Sequence, residues 1–563
     1  MSKRTPERPL TCVLVCDFNS ANLAGYLQND DEPPALAAVQ SDYGQVMQAL
    51  GHAGDPIWSD QPEFAFVWTR AETVLPSFAR LIEHHEISQA QLLDEVDQFS
   101  AAVIAASDRV KALMLATWTL DSFRRGLGMS DLRPDRGLAR ALMAANLRLL
   151  ANLDGRANIF ALDANRWLAG QGQTASAAKL WYQAKIPYSN GVFENAVADI
   201  KAAVRGLRGQ ARKLLVLDLD DTLWGGIVGD EGWENLRLGG HDPVGEAYQD
   251  FQRALKALTR RGIVLGIASK NTEAIALGAI NDNPEMVLRA SDFAGWRINW
   301  QDKAANIADL VSELNLGLQS VVFIDDNPVE RARVRDALPE VLVPEWPQNP
   351  MLYVSALHGL RCFDTPALSR EDAERTRSYV SERQRVDLKK KVGSVDEWIS
   401  TLEIKVKVEP LDSTNLRRAT QLFNKTNQLN LSTRRLTEAE LMDWSGTPGR
   451  GVWTFRVADK FGDAGLTGIA SLECEAGTAH IVDFILSCRV MGRKVEETMV
   501  SWLMQRAHAQ GAGDLRATYI ETAKNGMILE FWRRSGFDCA DGMVFTRPVA
   551  KGYPQPAAVQ LQP

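Results

Sequence analysis

Apolar residues along this chain fall into two patterns. Short unbroken runs that stop at a polar cluster recur: TCVLVC ending at Asp17, FAFVW at 64–68, LLVL ending at Asp218, IVLGIA ending at Ser269 and SVVFI ending at Asp325. Parallel strands buried on both faces have this pattern, and functional groups gather at their carboxyl ends. Between them, stretches such as LARALMAANLRLLANL at 138–153 repeat apolar residues at helical spacing, and IFALDANRWL at 159–168 reads as a later strand and turn. Strands alternating with helices predict α/β layers with a mostly parallel sheet.

From about 395 the pattern changes. IKVKVEP, VWTFRVAD, LTGIASLECE and AHIVDFILSC read as strands, followed by helical patterns at 494–510 and 524–535, which gives an α+β block. The charged stretch at 381–394 reads as helix and linker, and the Pro/Gln-rich tail YPQPAAVQLQP is expected to fray. The chain therefore divides into blocks at 1–205, 206–380 and 395–550. A net charge of −8 argues against sequence-independent nucleic-acid binding, which needs a basic surface. No segment approaches the roughly 20 apolar residues of a membrane span, and the apolar run before Asp17 is too short for a signal peptide. Cys12, Cys16, Cys362, Cys474, Cys488 and Cys539 show no CxxC pairing, so reduced thiols in a cytoplasm are expected.

The densest chemistry follows LLVL, where Asp218-Leu-Asp220-Asp221-Thr222 is a DxDxT sequence. Phosphoryl transfer needs an in-line nucleophile, a proton donor for the leaving oxygen and cations for the equatorial oxygens. Asp218 suits the first role and Asp220 the second, while Thr222 can orient the loop. Downstream, Ser269, Lys270 and Asn271 offer phosphate-binding groups, Lys303 a fixed charge, and Asp325 and Asp326 hard oxygen ligands for Mg²⁺ beside Asp218 and Asp220. A lone DxD is as readily a solvated turn. Four motifs in series leave that reading little room, and they resemble motifs one to four of the HAD superfamily. The resemblance implies a Mg²⁺-dependent phosphatase or phosphotransferase on a doubly wound sheet. Residues 223–261 hold a Gly-rich, hairpin-like segment and one helix, and 272–302 leave no room for a cap domain, so a bulky substrate or a covering neighbour is expected.

In the third block, FILSCRVMGRKVEE places a basic, Gly-containing turn between a strand and a helix, an anion-binding arrangement. Arg489, Gly492 and Arg493 partly resemble the pyrophosphate turn of GNAT acyltransferases, with Lys494 where a last glycine belongs; Asn525 and FWRRSGF are also GNAT-like. Strand alternation puts His480, Val482, Phe484, Leu486 and Cys488 on one face unless a bulge intervenes. Beside arginines and a helix amino end, Cys488 is a candidate nucleophile, with a buried structural thiol as the competing reading.

Together, VLDLDDTLWGGIVGDEGW, SKNT, INWQDKAANI and VVFIDDNPVERARV, then NKTNQLNLSTRRL, DKFGDAGLTG and SCRVMGR, make the chain resemble FkbH-like proteins over most of its length. The resemblance implies a degenerate SGNH-hydrolase-like α/β domain, a HAD-like domain with a minimal cap, and a GNAT-like α+β domain. It also implies a glyceryltransferase/phosphatase activity. A glyceryl unit from 1,3-bisphosphoglycerate is dephosphorylated and loaded on the phosphopantetheine thiol of an acyl carrier protein, in polyketide-type pathways. On this reading Cys488 becomes the thioester site, and Asn427, Arg434 and Arg435 become candidates for substrate polar groups, as open as their reading as surface turn residues. Two alternatives stand beside it. One is a CoA-dependent acyltransferase fused to a phosphatase in surface-polysaccharide synthesis, and the other is a non-catalytic carrier-docking scaffold.

Overall fold

The alternating core residues of the strands explain the first half of the molecule. In this computed structural model the residues described are 8–366 without 135 and 315, 379–383, 385, 388, 392, 394–425, 429–432, 434–522, 525–539 and 542–562; for Val395, Lys425 and Cys488 only the backbone is described. The chain forms two compact units, Met1–Leu288 with Arg297–Ala373, and Arg289–Trp296 with Glu374–Pro563.

The first unit opens with β1 (Leu10–Cys16), β2 (Leu36–Gln40), β3 (Phe64–Trp68), β4 (Ala112–Ala116) and β5 (Ile159–Leu162). These pair in parallel in the order β2-β1-β3-β4-β5. Cys12, Leu14, Cys16, Phe66, Trp68 and Met114 pack into the core on one face, and Val13, Val15, Ala65, Val67, Leu113 and Leu115 into the core on the other. Both parities are buried, so the runs are continuously apolar. Burial also pushes the Cys12 thiol up to about 12, which leaves it a packing residue. The helix at Leu138–Leu153 falls where its periodicity put it, whereas the expected turn after β5 is a helix, Ala164–Ala169, capped by the Asp163 carboxylate.

The same unit holds β6 (Leu214–Leu217), β7 (Val264–Ser269) and β9 (Val321–Ile324), with β6 in the middle of the three and both pairings parallel. Between β7 and β9 in sequence lies β8 (Phe293–Ile298), whose residues span the boundary of the two units. Leu217 lies beside both Ile267 and Ile324, so the residues that follow each strand emerge at one level. The expected hairpin at 224–242 is mostly something else: only Gly225 and Arg237 pair, and between them lie the short helix Val228–Glu231 and a turn of 3-10 helix, Trp233–Asn235.

In the second unit, β10 (Ile404–Pro410), β11 (Arg450–Asp459), β12 (Gly462–Glu475), β13 (Thr478–Leu486), β14 (Asp514–Thr518), β15 (Asp538–Cys539), β16 (Val544–Pro548) and β17 (Val559–Gln562) make one sheet, ordered β15-β16-β14-β13-β12-β11-β10-β17. The pairs β13–β14 and β10–β17 are parallel and the rest antiparallel. Two expectations are corrected here. Val559–Gln562 of the tail is not frayed but adds a strand to β10. On β13 a bulge between the Leu472–Ile481 and Ser471–Asp483 pairs inserts Val482, so the core face is Ala479, Ile481, Phe484 and Leu486, and His480 and Val482 fall off it. β13 ends at Leu486, and Cys488 opens a 3-10 turn beyond it. The helices Val495–Ala509 and Gly526–Arg534 match the two late periodic stretches. The segment read as helix and linker lies partly outside the described residues. No described helix is long and apolar enough to cross a membrane.

Candidate active site

Two strand ends bring the acids of the first unit together. Asp218 follows β6 and Asp325 and Asp326 follow β9, and their carboxylate oxygens lie within 4.8 Å of one another. Lys303, the first residue of the helix Lys303–Glu313, reaches in with its Nζ 2.9 Å from Asp218 Oδ2 and 2.6 Å from Asp325 Oδ2. Lys303, Asp218 and Asp325 are all buried. Taking charges out of water costs several kcal/mol each unless they are paired. One ammonium among three carboxylates leaves two negative charges unmatched.

The pKa directions follow from that imbalance. Burial and then the Asp218 charge raise Asp325, and burial with Asp218 and Asp221 pushes Asp326 up to about 6. For Lys303, burial works against the ammonium, but Asp218 and Asp325 outweigh it, so the pKa lies above the ordinary lysine value. Asp218 Oδ1 is buried with no hydrogen-bond partner. A divalent cation with a preference for oxygen would supply the missing positive charge, so the residues fit Mg²⁺ held by Asp218, Asp325 and Asp326. Asp220, the fourth acid expected as a ligand, is not in this cluster. Its Oδ1 accepts from Trp224 Nε1 at 2.9 Å and the Val228 N–H at 3.1 Å, and its Oδ2 from Asn271 Nδ2 at 2.9 Å. Burial raises the Asp220 pKa above that of an ordinary carboxyl despite these donors, which suits a proton donor.

The loop is braced from several elements. Thr222 is fully buried; its Oγ1 lies 3.3 Å from Asp326 Oδ1 and accepts the Asp326 N–H. Asp221 has φ 53°, the left-handed region that a side chain makes costly. Its carbonyl accepts the hydroxyls of Tyr248 and Tyr353 and its carboxylate the Gly226 N–H, which hold it there. Arg331 donates to the carbonyls of both Asp325 and Asp326. Sequence reading missed Trp224, Tyr248, Arg331 and Tyr353. Trp224 lies four residues after Asp220, but nothing local marks Tyr353, 132 residues beyond Asp221. Ser269 is buried at the end of β7, and Lys270 is exposed with its Nζ 2.6 Å from Glu330. A cleft of about 490 Å³ opens beside the acids, lined by Asp221, Gly226, Arg237, Tyr248, Asp326 and Tyr353 among others.

The candidates of the second unit are placed differently. Arg493 is buried and paired with Glu382 at 2.6 Å and Asp459 at 3.6 Å; Arg385 holds the same Asp459 bidentately at 2.6 and 2.8 Å. Arg434 pairs with the fully buried Asp483, which also accepts from Ser432 and Ser471, and Arg435 donates to the Phe423 carbonyl. Asp483 has no counterpart in the sequence reading. Arg489 is exposed. Asn427 and the side chain of Cys488 lie outside the described residues.

No protein-family model matches the chain, and no curated protein does. Among solved structures, it is similar to the N-terminal part of the Bacteroides fragilis protein BF1531, which contains a phosphatase domain and was complexed with Mg. That match has 27% identity and a TM-score of 0.57, and it covers 64% of this chain and 95% of that one. Two further matches have TM-scores of 0.20: the Escherichia coli ribosomal-protein-S18-alanine N-acetyltransferase (10% identity, 26% of this chain and 94% of that one) and a putative phosphinothricin N-acetyltransferase (16%, 26% and 98%).

Proposed function

We propose that the first unit is a Mg²⁺-dependent, HAD-type phosphatase and that the whole chain is an FkbH-like glyceryltransferase/phosphatase with a GNAT-like second unit. The observation that carries the first part is the group of Asp218, Asp325 and Asp326 around Lys303, with Asp218 Oδ1 left free. Lys303 fixes Asp218 through Oδ2, and the other oxygen is then oriented to attack phosphorus. Asp220, held by Trp224, Val228 and Asn271, gives its proton to the leaving oxygen and then takes one from the water that cleaves the aspartyl phosphate. Ser269 and Asn271 are the groups for the phosphoryl oxygens. Mg²⁺, when bound by Asp218, Asp325 and Asp326, neutralises charge on the phosphoryl group.

A bulky, carrier-borne substrate is favoured by the surface. Between 208 and 365 the large exposed apolar side chains are Ile227, Ile275, Trp300, Val329, Met351 and Leu352. Each sits within a few residues of a site or cleft residue, on loops or helix starts near Gly226, Asn271, Lys303, Asp326 and Tyr353. Exposed apolar side chains next to site residues suit an interaction surface, here for the acyl carrier protein whose phosphopantetheine thiol receives the glyceryl unit of 1,3-bisphosphoglycerate. Cys488 is the acceptor that relays the acyl group as a thioester. The test is intact-mass analysis after adding 1,3-bisphosphoglycerate to wild type, Asp218→Asn and Cys488→Ala, with and without carrier. The proposal expects a glyceryl adduct on wild type, an adduct retaining phosphate on Asp218→Asn and none on Cys488→Ala. An adduct mapped to another cysteine, or carrier loading at the wild-type rate by Cys488→Ala, removes the relay.

A further inference from the structure

The helix Val495–Ala509 begins beyond a turn, Arg489–Lys494, and the N–H groups of its first turn make its start an anion site on physical grounds alone. The anion found there belongs to the chain. Glu496, in the first turn of that helix, accepts the Gly492 N–H at 2.7 Å through Oε1. It is 2% exposed, and Oε2 has no hydrogen-bond partner. Burial raises its pKa, with the Gly492 N–H pulling the other way. A carboxylate in this position meets the Gly492 N–H beside the positive end of the helix, as a bound phosphate would.

The sheet next to this turn has been closed in the same way. β13 and β14 pair only from Thr478–Asp514 to Ile481–Ala517, which leaves the second half of β13 without β14. An unpaired strand edge can take up any extended amide-bearing chain. Here that edge is completed by Leu429–Leu431: the Leu431 N–H donates to the Phe484 carbonyl at 3.1 Å, the Leu486 N–H to the Leu429 carbonyl at 3.0 Å, and Asn430 bridges to Ile485. On its other side the segment accepts the Ile520 N–H at Leu431 O and Asn525 Nδ2 at Asn430 O. Asn525 is fully buried and also accepts from Tyr519 Oη and the Thr522 N–H at 2.8 Å, so it locks the segment in place. A ligand with an extended amide arm ending in a pyrophosphate, as CoA has, would want both features, and both are occupied from within.

We propose that Glu496 is a specificity residue: it fills the helix-end anion site and so keeps nucleotide pyrophosphates, CoA among them, out of the second unit. An acyl-handling unit closed in this way discriminates against free CoA and leaves a thiol carried on a protein as the acceptor. This relevance rests on the acyl-transfer reading above, but the binding property does not. Arg493 cannot offset the exclusion, because Glu382 and Asp459 already neutralise it.

The experiment is calorimetric titration of the full chain with inorganic pyrophosphate and, separately, with CoA. It is done in chelating buffer, so that the unmatched carboxylates of the first unit repel both probes. Wild type is expected to show no saturable binding below millimolar concentration. Glu496→Ala, which frees the Gly492 N–H and the space, should bind pyrophosphate at least tenfold more tightly than wild type. Glu496→Gln, which removes the charge but keeps an acceptor, should fall between them. Wild type that saturates with micromolar CoA overturns the proposal, as does a folded Glu496→Ala with no gain. If Glu496→Ala does not fold, Glu496→Gln decides: pyrophosphate binding no tighter than wild type also overturns it. Loss of the glyceryl-transfer reading would leave all these binding results unchanged.

Discussion

The cluster around Asp218 in the first unit and those around Asp483 and Arg493 in the second treat buried charge in opposite ways. Around Asp218 the first unit gathers three carboxylates against one ammonium and leaves an oxygen with nothing to bind. In the second unit Asp483 is matched by Arg434 and two serine hydroxyls, and Arg493 by Glu382 and Asp459. The energy scale is similar in both, several kcal/mol per buried charge, but only the first site is left out of balance. A matched cluster stabilises its fold by itself. An unmatched one needs a cation or a substrate to complete it, which is why unpaired charge locates chemistry better than the mere presence of ionisable residues.

The comparison breaks most sharply at Asp218. Asp218→Asn should lower phosphate release, followed with p-nitrophenyl phosphate, on the order of 10⁴-fold or more, the scale for loss of a covalent nucleophile. A normal rate would mean that the unmatched cluster is not the reaction centre. Nearly as large, excess EDTA should abolish release and Mg²⁺ should restore it, because two carboxylate charges otherwise repel the phosphoryl group; full activity in chelator would contradict the charge count.

The matched cluster should respond in stability and not in rate. Asp483→Asn strands the partly exposed Arg434 and should cost the second unit about 2 kcal/mol in thermal or denaturant unfolding, with phosphate release unchanged. Equal stability would mean that the ion pair is incidental. The smallest effect tunes the active site. Trp224 Nε1 donates to Asp220 and so favours its anion. Trp224→Phe removes that donor and raises the Asp220 pKa further. The proton stays on to higher pH, so the alkaline limb of the rate profile should move up by as much as about one pH unit. A downward shift would show that Asp220 does not act in its protonated form.

What could be read in advance follows the range of the interactions. LLVL, VLGIAS and VVFI declare themselves as parallel strands because every residue is buried, and their parallel register then brings Asp218 and Asp325 level without further information. Lys303 fits the same logic, as the first residue of a helix with an apolar stripe. The strand IKVKVEP alternates cleanly and was equally legible. β13 was not: one inserted residue, Val482, reverses the parity of everything after Ile481, and no local signal reports a bulge. The partners of Arg493 defeat sequence reading for a related reason. Glu382 lies 111 residues away, and nothing in RVMGR distinguishes an arginine awaiting phosphate from one already spoken for.

The strand formed by Val559–Gln562 bears on the order in which the protein is made. It pairs with β10 from Ile404–Val559 to Lys407–Gln562, so the outer place beside β10 waits more than 150 residues of synthesis for its occupant. The first unit's sheets need only residues up to Ile324, so they can assemble while the ribosome is still at work, as early domains do. The second cannot complete its eight-stranded sheet until residue 562 has emerged. During that interval β10 offers a bare edge, with Lys405 and Lys407 exposed along it. Charged side chains at such a position discourage pairing with a neighbouring nascent chain.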